Sequence, residues 1–229
     1  EGQYTVLVFF ALVGLLVLAP VLIILGPQSD LGTAMICVVG ILAVMWLGEV
    51  PLRTMLIVIG VVVALGLVGI FGSSYRRDRL MVFMNPWNDG EGGFGTGFQL
   101  IHSLCALSGG GLFGVGLGNS HEKYLYLTQA DTDFIFAIIG EELGLVGAAV
   151  VIALFLYAGT RIAQSSPDNF GTMVAGGCTI MIAFQAFLNI AMVIGWFPVV
   201  GKPLPFISSG GSSRVAMLLM VGIILSVSR

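Results

Sequence analysis

Asp131 and Asp133 stand two residues apart in QADTDFIFAIIGEELG, immediately ahead of an apolar stretch beginning at Phe134. A carboxylate in that place has two uses. It can accept the free N–H groups of a helix's first turn and sit in the positive end of the helix dipole, or act as a general base toward a proton within hydrogen-bond reach. Capping lowers a carboxylate's proton affinity, whereas a second carboxylate and partial desolvation raise it, so the pair by itself leaves the direction of any shift open and puts capping ahead of catalysis. Glu141 and Glu142 follow about two turns into the same stretch, with Glu141 roughly 12 Å beyond Asp133 at about 1.5 Å per residue. Carboxylates at that depth are costly in a bilayer and must face other helices or a polar cavity. Lining a site and bonding a neighbouring helix suit them equally.

The cations that precede this pair are Lys123 and the cluster Arg76, Arg77 and Arg79 in YRRDRLMVFMNPW. That segment suits a short interfacial helix with a basic edge and Trp87 at headgroup depth; anchoring is its first reading, and gripping a phosphate through guanidinium forks its second. The glycines of SGGGLFGVGLGNS, from Gly109 to Gly118, lack P-loop spacing. Tight turns come first for them, and backbone N–H groups offered to a polar ligand second. Asp30, in GPQSDLGTA, precedes an apolar stretch and reads as an N-cap. Pro198 to Arg214, PVVGKPLPFISSGGSSR, joins a Pro-rich start to small hydrogen-bonding residues. Irregular backbone of this kind survives near a membrane only where protein or a water-filled cavity satisfies it, so it reads as a re-entrant element or plug. His102 and His121 are remote from each other and from Cys37, Cys105 and Cys178, and there is no CxxC pair, so neither a metal site nor a disulfide framework is expected.

The elements that must position these residues are membrane helices. Of 229 residues, 57% are hydrophobic and 9% charged, against about 25% charged in soluble domains; a soluble enzyme is excluded, and nine Lys and Arg without a basic stripe exclude a nucleic-acid partner. A span needs roughly 20 mostly apolar residues, and the sequence offers Tyr4 to Leu25, Thr54 to Phe71, Phe134 to Tyr157, Thr172 to Trp196 and Ser213 to Val227, with the shorter Leu31 to Leu47. The expectation is an all-α polytopic membrane protein, a single membrane domain of six spans with both ends on one side, a large loop over 72–133 and a Pro/Gly/Ser-rich loop over 197–213. Glu1-Gly2-Gln3 supplies no basic leader ahead of the first span, so no cleavable signal is expected and the start reads as an internal cut. Arg53, Arg161 and Arg229 fall on one side, and Arg76, Arg77, Arg79, Lys123, Lys202 and Arg214 on the other. Counted naively, the large loop would be cytoplasmic, but the positive-inside rule weakens for loops of about 60 residues.

SDLGTA, YRRDRLMVFMNPW, GGGLFGVGLGNS, TDFIFAIIGEELG and NIAMVIGWFPVVGKPLPFISSGGSS, in this order and spacing, resemble the SEDS family of cell-wall polymerases over essentially the whole chain, and the FtsW-type division and sporulation branch more than the elongation branch. The resemblance implies a ten-span fold of which these six are the last. Both the large loop and the Pro/Gly/Ser-rich loop are then extracytoplasmic, against the naive charge count. It implies polymerisation of lipid II into glycan strands with release of undecaprenyl pyrophosphate, with Asp133 as the catalytic aspartate. Arg76, Arg77, Arg79, Lys123 and Arg214 are the cations available for substrate, and Asp131, Ser212 and Ser213 complete the expected binding set. Lys123 matches a family lysine ahead of TDFIF. The resemblance implies no certain cofactor, with a divalent cation at the pyrophosphate the one candidate. As partners it implies lipid II, the nascent strand, a class B penicillin-binding transpeptidase and other divisome or elongation proteins, at the bacterial cytoplasmic membrane and its division septum.

The chain departs from the family in places. Where relatives read PEAHTDF or PEPQTDF, it has Thr128-Gln129-Ala130-Asp131-Thr132-Asp133, which loses a Pro and a Glu and gains Asp131. Where some carry a lysine before the final-loop glycine, it has Val200, with Lys202 after Gly201, and no role is expected of Lys202. A chain lacking four of ten spans is expected to be inactive alone. Two rivals are a lipid-precursor flippase, which would place ionisable groups near the bilayer midplane, and a noncatalytic scaffold for a transpeptidase.

Overall fold

The computed structural model describes residues 30–227, except 73, 90, 96, 126, 128–129 and 164–168. The apolar stretch Tyr4 to Leu25 lies outside the described residues. All regular structure among them is helical, in eight helices: α1 (Leu31–Leu47), α2 (Leu52–Phe71), α3 (Ser74–Met84), α4 (Phe98–Gly110), α5 (Glu122–Leu125), α6 (Ile135–Ala163), α7 (Asn169–Val193) and α8 (Gly211–Val227). The all-α polytopic character read from composition is therefore what the chain has. By length and composition α2, α6 over Ile135–Phe155 and α7 over Phe170–Val193 are able to cross a membrane, while α1 and α8 are shorter apolar helices.

Asp30 starts α1 as expected: its Oδ1 accepts the Thr33 N–H at 3.0 Å and its Oδ2 the Thr33 hydroxyl at 2.7 Å. α1 packs along α7, which packs in turn against α6 and α8. α2 buries only Met55 and presents an almost wholly apolar surface, the pattern of a helix whose solvent is lipid.

The segment 72–133, read from sequence as a loop, holds three helices. α3 is the short helix expected of RRDRLMVFM. α4 was not anticipated; it packs against α6, and its wholly buried Ser103 hydroxyl donates to the carbonyls of Leu100 (2.8 Å) and Val193 (3.1 Å), tying α4 to the end of α7. The main core lies at this end of the bundle, where Ala106, Phe134, Phe136, Ala186, Met192 and Leu204 pack together from α4, α6, α7 and the two loops.

α6 is not the uninterrupted span expected over Phe134 to Tyr157. It breaks at Gly144, whose φ of 69° and ψ of −169° are essentially closed to other residues. A break strands donors and acceptors in the helix, and the glycine-rich segment supplies their partners. Val115 and Gly116 N–H groups donate to the carbonyls of Glu141 (2.9 Å) and Glu142 (3.1 Å), while Leu145 and Val146 N–H groups donate to those of Gly111 (2.9 Å) and Leu112 (3.2 Å). A Cβ on Gly114 would stand 2.1 Å from the Glu142 carbonyl oxygen. These glycines therefore bring backbone against backbone at the break. Glu141 secures the same segment: buried in α6, it accepts the Ser120 hydroxyl at 2.5 Å and the His121 N–H at 2.9 Å. Of its two readings, bonding a neighbouring segment is the one realised.

Candidate active site

Asp133 lies in the turn between Leu127 and α6, anchored by Phe134, whose ring is 1% exposed in the core. The Pro/Gly/Ser-rich loop folds over this turn and is bonded to it. The Ser208 hydroxyl donates to the Thr132 carbonyl at 2.5 Å and accepts the Leu204 N–H at 2.8 Å. Ser209 donates to the Asp131 carbonyl from both its N–H and its hydroxyl, each at 2.9 Å. From α7 the side-chain amide of Asn189, 0% exposed, donates to the carbonyls of Asp133 and Lys202, both at 2.6 Å. Gln185, one turn earlier, donates to the Pro203 carbonyl at 2.9 Å and the Ser213 hydroxyl at 3.4 Å. The loop is thus satisfied by protein, as irregular backbone near a membrane requires.

These bonds fix Asp133 by its backbone and leave its carboxylate open. Neither aspartate makes a side-chain cap at α6: the first turn closes with the Ala137 N–H on the Phe134 carbonyl, and no described residue donates to the Asp133 carboxylate. Gly201 is the closest loop backbone, since a Cβ there would lie 3.3 Å from Asp133 Oδ2, and its φ of 62° is one that glycine adopts freely. Burial pushes the Asp133 carboxyl above the ordinary aspartate value, and the positive charges of Lys202 and Arg79 pull it partly back. The direction left open by the sequence is therefore upward, because desolvation outweighs the cations.

The expected site residues divide. Arg79 reaches it: its Nη1 donates to the Val199 carbonyl at 2.7 Å, joining α3 to the final loop, and its charge acts on Asp133. Arg77 is exposed on α3, and the side chain of Arg76 lies outside the described residues. Arg214 donates through Nε to the Ser208 carbonyl at 2.8 Å, which braces the loop. Ser213 is engaged by Gln185 and Ser212 is exposed at the start of α8. Lys123 and Asp131 share a different hollow of about 520 Å³ with Thr132 and Ser209. Asp133 is not among the residues that line this hollow.

The residue that the sequence reading set aside is central. Lys202 donates to Asp30 Oδ2 at 2.5 Å and also to the Thr33 hydroxyl. Its stem lies across Gly32, where a Cβ would stand 2.6 Å from Cε. Asp30 is therefore a cap and an ion-pair partner together, and the charge of the lysine it holds also acts on Asp133. Among the described residues no group of three or more His, Cys, Asp or Glu is placed to hold a metal ion. Of the two carboxylates in α6, Glu141 is taken by Ser120 and His121, while Glu142 keeps a buried Oε1 to which no described residue donates.

A family model described as a cell cycle protein, FtsW/RodA/SpoVE, matches residues 3–229. The chain is 43% identical over 206 residues to the stage V sporulation protein E of Bacillus subtilis, covering 88% of this chain and 55% of that protein. It is 40% identical over 219 residues to a probable peptidoglycan glycosyltransferase FtsW of Geobacter sulfurreducens, covering 93% and 57% respectively. The fold is similar to a chain in a solved peptidoglycan synthase complex that coordinates polymerization and crosslinking, with a TM-score of 0.71 and 28% identity over 96% of this chain and 61% of that one. It is also similar to an alanine variant of the rod shape determining protein RodA of Thermus thermophilus, with a TM-score of 0.58 and 28% identity over 96% of this chain and 56% of that one. The chain spans little more than half the length of these relatives.

Proposed function

Given that the chain belongs to the FtsW/RodA/SpoVE family, we propose that the full-length protein is a peptidoglycan glycosyltransferase with Asp133 as its general base. The 4-hydroxyl oxygen of one lipid-linked disaccharide attacks the anomeric carbon of another. As the new glycosidic C–O bond forms, Asp133 takes the hydroxyl proton. The bond from the anomeric carbon to the pyrophosphate breaks, and undecaprenyl pyrophosphate leaves with the electron pair. The observation that carries this reading is an open carboxylate, raised by burial yet held by its backbone between two loops. A base must combine fixed position with unspent acceptor capacity, and a pKa moved toward neutrality improves proton transfer. Arg79 and Lys202 supply the positive field in which the anionic substrate is bound. A divalent cation at the pyrophosphate would supply further charge neutralisation and would be brought by the substrate, since no group of three or more His, Cys, Asp or Glu among the described residues is placed to hold one.

In this reading the loops around Asp133 face the outside of the bacterial cytoplasmic membrane, a class B transpeptidase is the partner and the division septum the site of action. The similarity to a peptidoglycan synthase complex supports such a partner. Incubation of the purified full-length protein, with and without the transpeptidase, with labelled lipid II tests the activity. A ladder of glycan strands is expected, and its absence under both conditions refutes it.

A further inference from the structure

We propose, on the reading of Asp133 as the base, that Asp30 and Thr33 are positioning residues that hold the Lys202 ammonium beside Asp133 while keeping it from pairing with that carboxylate. The backbones of Asp133 and Lys202 are held together, because one Asn189 amide bonds both carbonyls at 2.6 Å. Between them Gly201 passes close to Asp133 Oδ2. A lysine so placed has two carboxylates to choose from, and it is turned away from the nearer segment: its stem runs over Gly32 to α1, where Nζ meets Asp30 Oδ2 at 2.5 Å and the Thr33 hydroxyl. The choice is set in advance. Asp30 is itself fixed by the Thr33 N–H and hydroxyl, so pairing with it costs little further ordering, whereas pairing with Asp133 would require the lysine to give up both partners.

The consequence is chemical. A direct Lys202–Asp133 pair would occupy the base and weaken it, since a bonded cation stabilises the charged carboxylate. Removal of the ammonium would leave Arg79 alone to oppose burial and keep Asp133 protonated to higher pH. Held by Asp30, Lys202 acts on Asp133 through its field alone. The charged groups around Asp133 are Arg79 from α3, Lys202 from the final loop, Asp30 behind the lysine from α1, and Asp131 two residues away in the hollow with Lys123; α7 presents the neutral Asn189.

The two sides of this balance shift Asp133 in opposite directions, which a merely structural role would not do. In the full-length protein, Asp30→Asn keeps a good N-cap but removes the carboxylate that pairs with Lys202, leaving Asp133 the stronger partner on offer, and Lys202→Met keeps an unbranched stem over Gly32 but removes the charge. Two readouts are followed against pH for both variants and their combination: lipid II polymerisation, and carbodiimide labelling of Asp133 by peptide mass spectrometry, which reports protonation without turnover. Asp30→Asn is expected to move the labelling midpoint and the acid limb of the rate to lower pH and to slow polymerisation above that limb, within the about 10²–10⁴-fold that a positioned base contributes. Lys202→Met is expected to move both to higher pH, and the double variant to follow Lys202→Met, there being no lysine left to release. Unchanged midpoints, or shifts of the same sign in both single variants, overturn the proposal. Opposite shifts in labelling with no change in the pH–rate profile uphold the Asp30–Lys202 arrangement and refute Asp133 as the base.

Discussion

Replacing Asn189 by Leu tests whether the two loops are joined at Asp133 as described. The amide is wholly buried and donates to two carbonyls, those of Asp133 and Lys202, so Asn189→Leu strands two part-buried acceptors at no more than about 1–3 kcal/mol each. Against that, the Asn189 Oδ1 is itself buried with no partner, and its removal returns a penalty of the same kind. The net cost is one unsatisfied group, about 1–3 kcal/mol, enough to lower the melting temperature without preventing folding. The larger effect falls on activity. Asp133 and Lys202 lose their shared tether, and since a displacement of about 1 Å at a reacting group costs about 10²-fold, polymerisation is expected to fall by about that factor. Asn189→Asp, of nearly the same shape, turns an acceptor toward the two carbonyls and is expected to be no better. The assay is lipid II polymerisation by purified full-length protein with thermal unfolding measured on the same samples. Activity within about threefold of wild type in Asn189→Leu, against the predicted loss of about 10²-fold, refutes the clasp.

Gly144→Ala is expected to cost at least about 1–3 kcal/mol through backbone conformation alone and to free the 111–116 segment, read as faster amide exchange at Val115 and Gly116. Asp89 accepts the N–H groups of Glu91, Gly93, Gly95 and Gly97 at 2.8–3.1 Å, and these bonds hold its carboxyl down to about 2. A depressed carboxyl stabilises its loop above its unfolded pKa and ceases to as pH falls through the folded value, so protection of those amides is expected to persist at pH 4 and be lost toward pH 2, while Asp89→Ala loses it at every pH. For sidedness, single cysteines at Ser74 and Asn119, both exposed, in a background without Cys37, Cys105 and Cys178, are expected to react with an impermeant maleimide added outside the cell membrane; protection of both would overturn the orientation and with it the polymerase reading.

What the sequence disclosed follows from range. Asp30 as a cap, the short basic helix and the apolar helices depend on neighbours a few residues apart, and these were legible. Asp133 was singled out locally by its place before α6, yet its state was not, because burial by Phe134's neighbours and the charges of Arg79 and Lys202 come from distant segments. Lys202 was set aside because a local motif comparison cannot show a partner 172 residues away. α4 escaped notice because its 13 residues, FQLIHSLCALSGG, are too few for a span and lie between glycine-rich runs; the spacing of Leu100, Ile101, Leu104 and Leu107 was the available signal. The Asp89 cradle also had one, an Asp followed by Gly92, Gly93, Gly95 and Gly97, the composition of a side-chain-closed turn.

The most direct test of the account is polymerisation of labelled lipid II by the Asp133→Asn full-length protein beside wild type and Asp131→Asn, at matched folding and membrane insertion. Asn keeps the shape and the backbone tether to Asn189 and removes the basic oxygen. The account predicts that Asp133→Asn forms no strands while Asp131→Asn, whose residue belongs to the neighbouring hollow with Lys123, retains most of the activity. Normal strand formation by Asp133→Asn would contradict it.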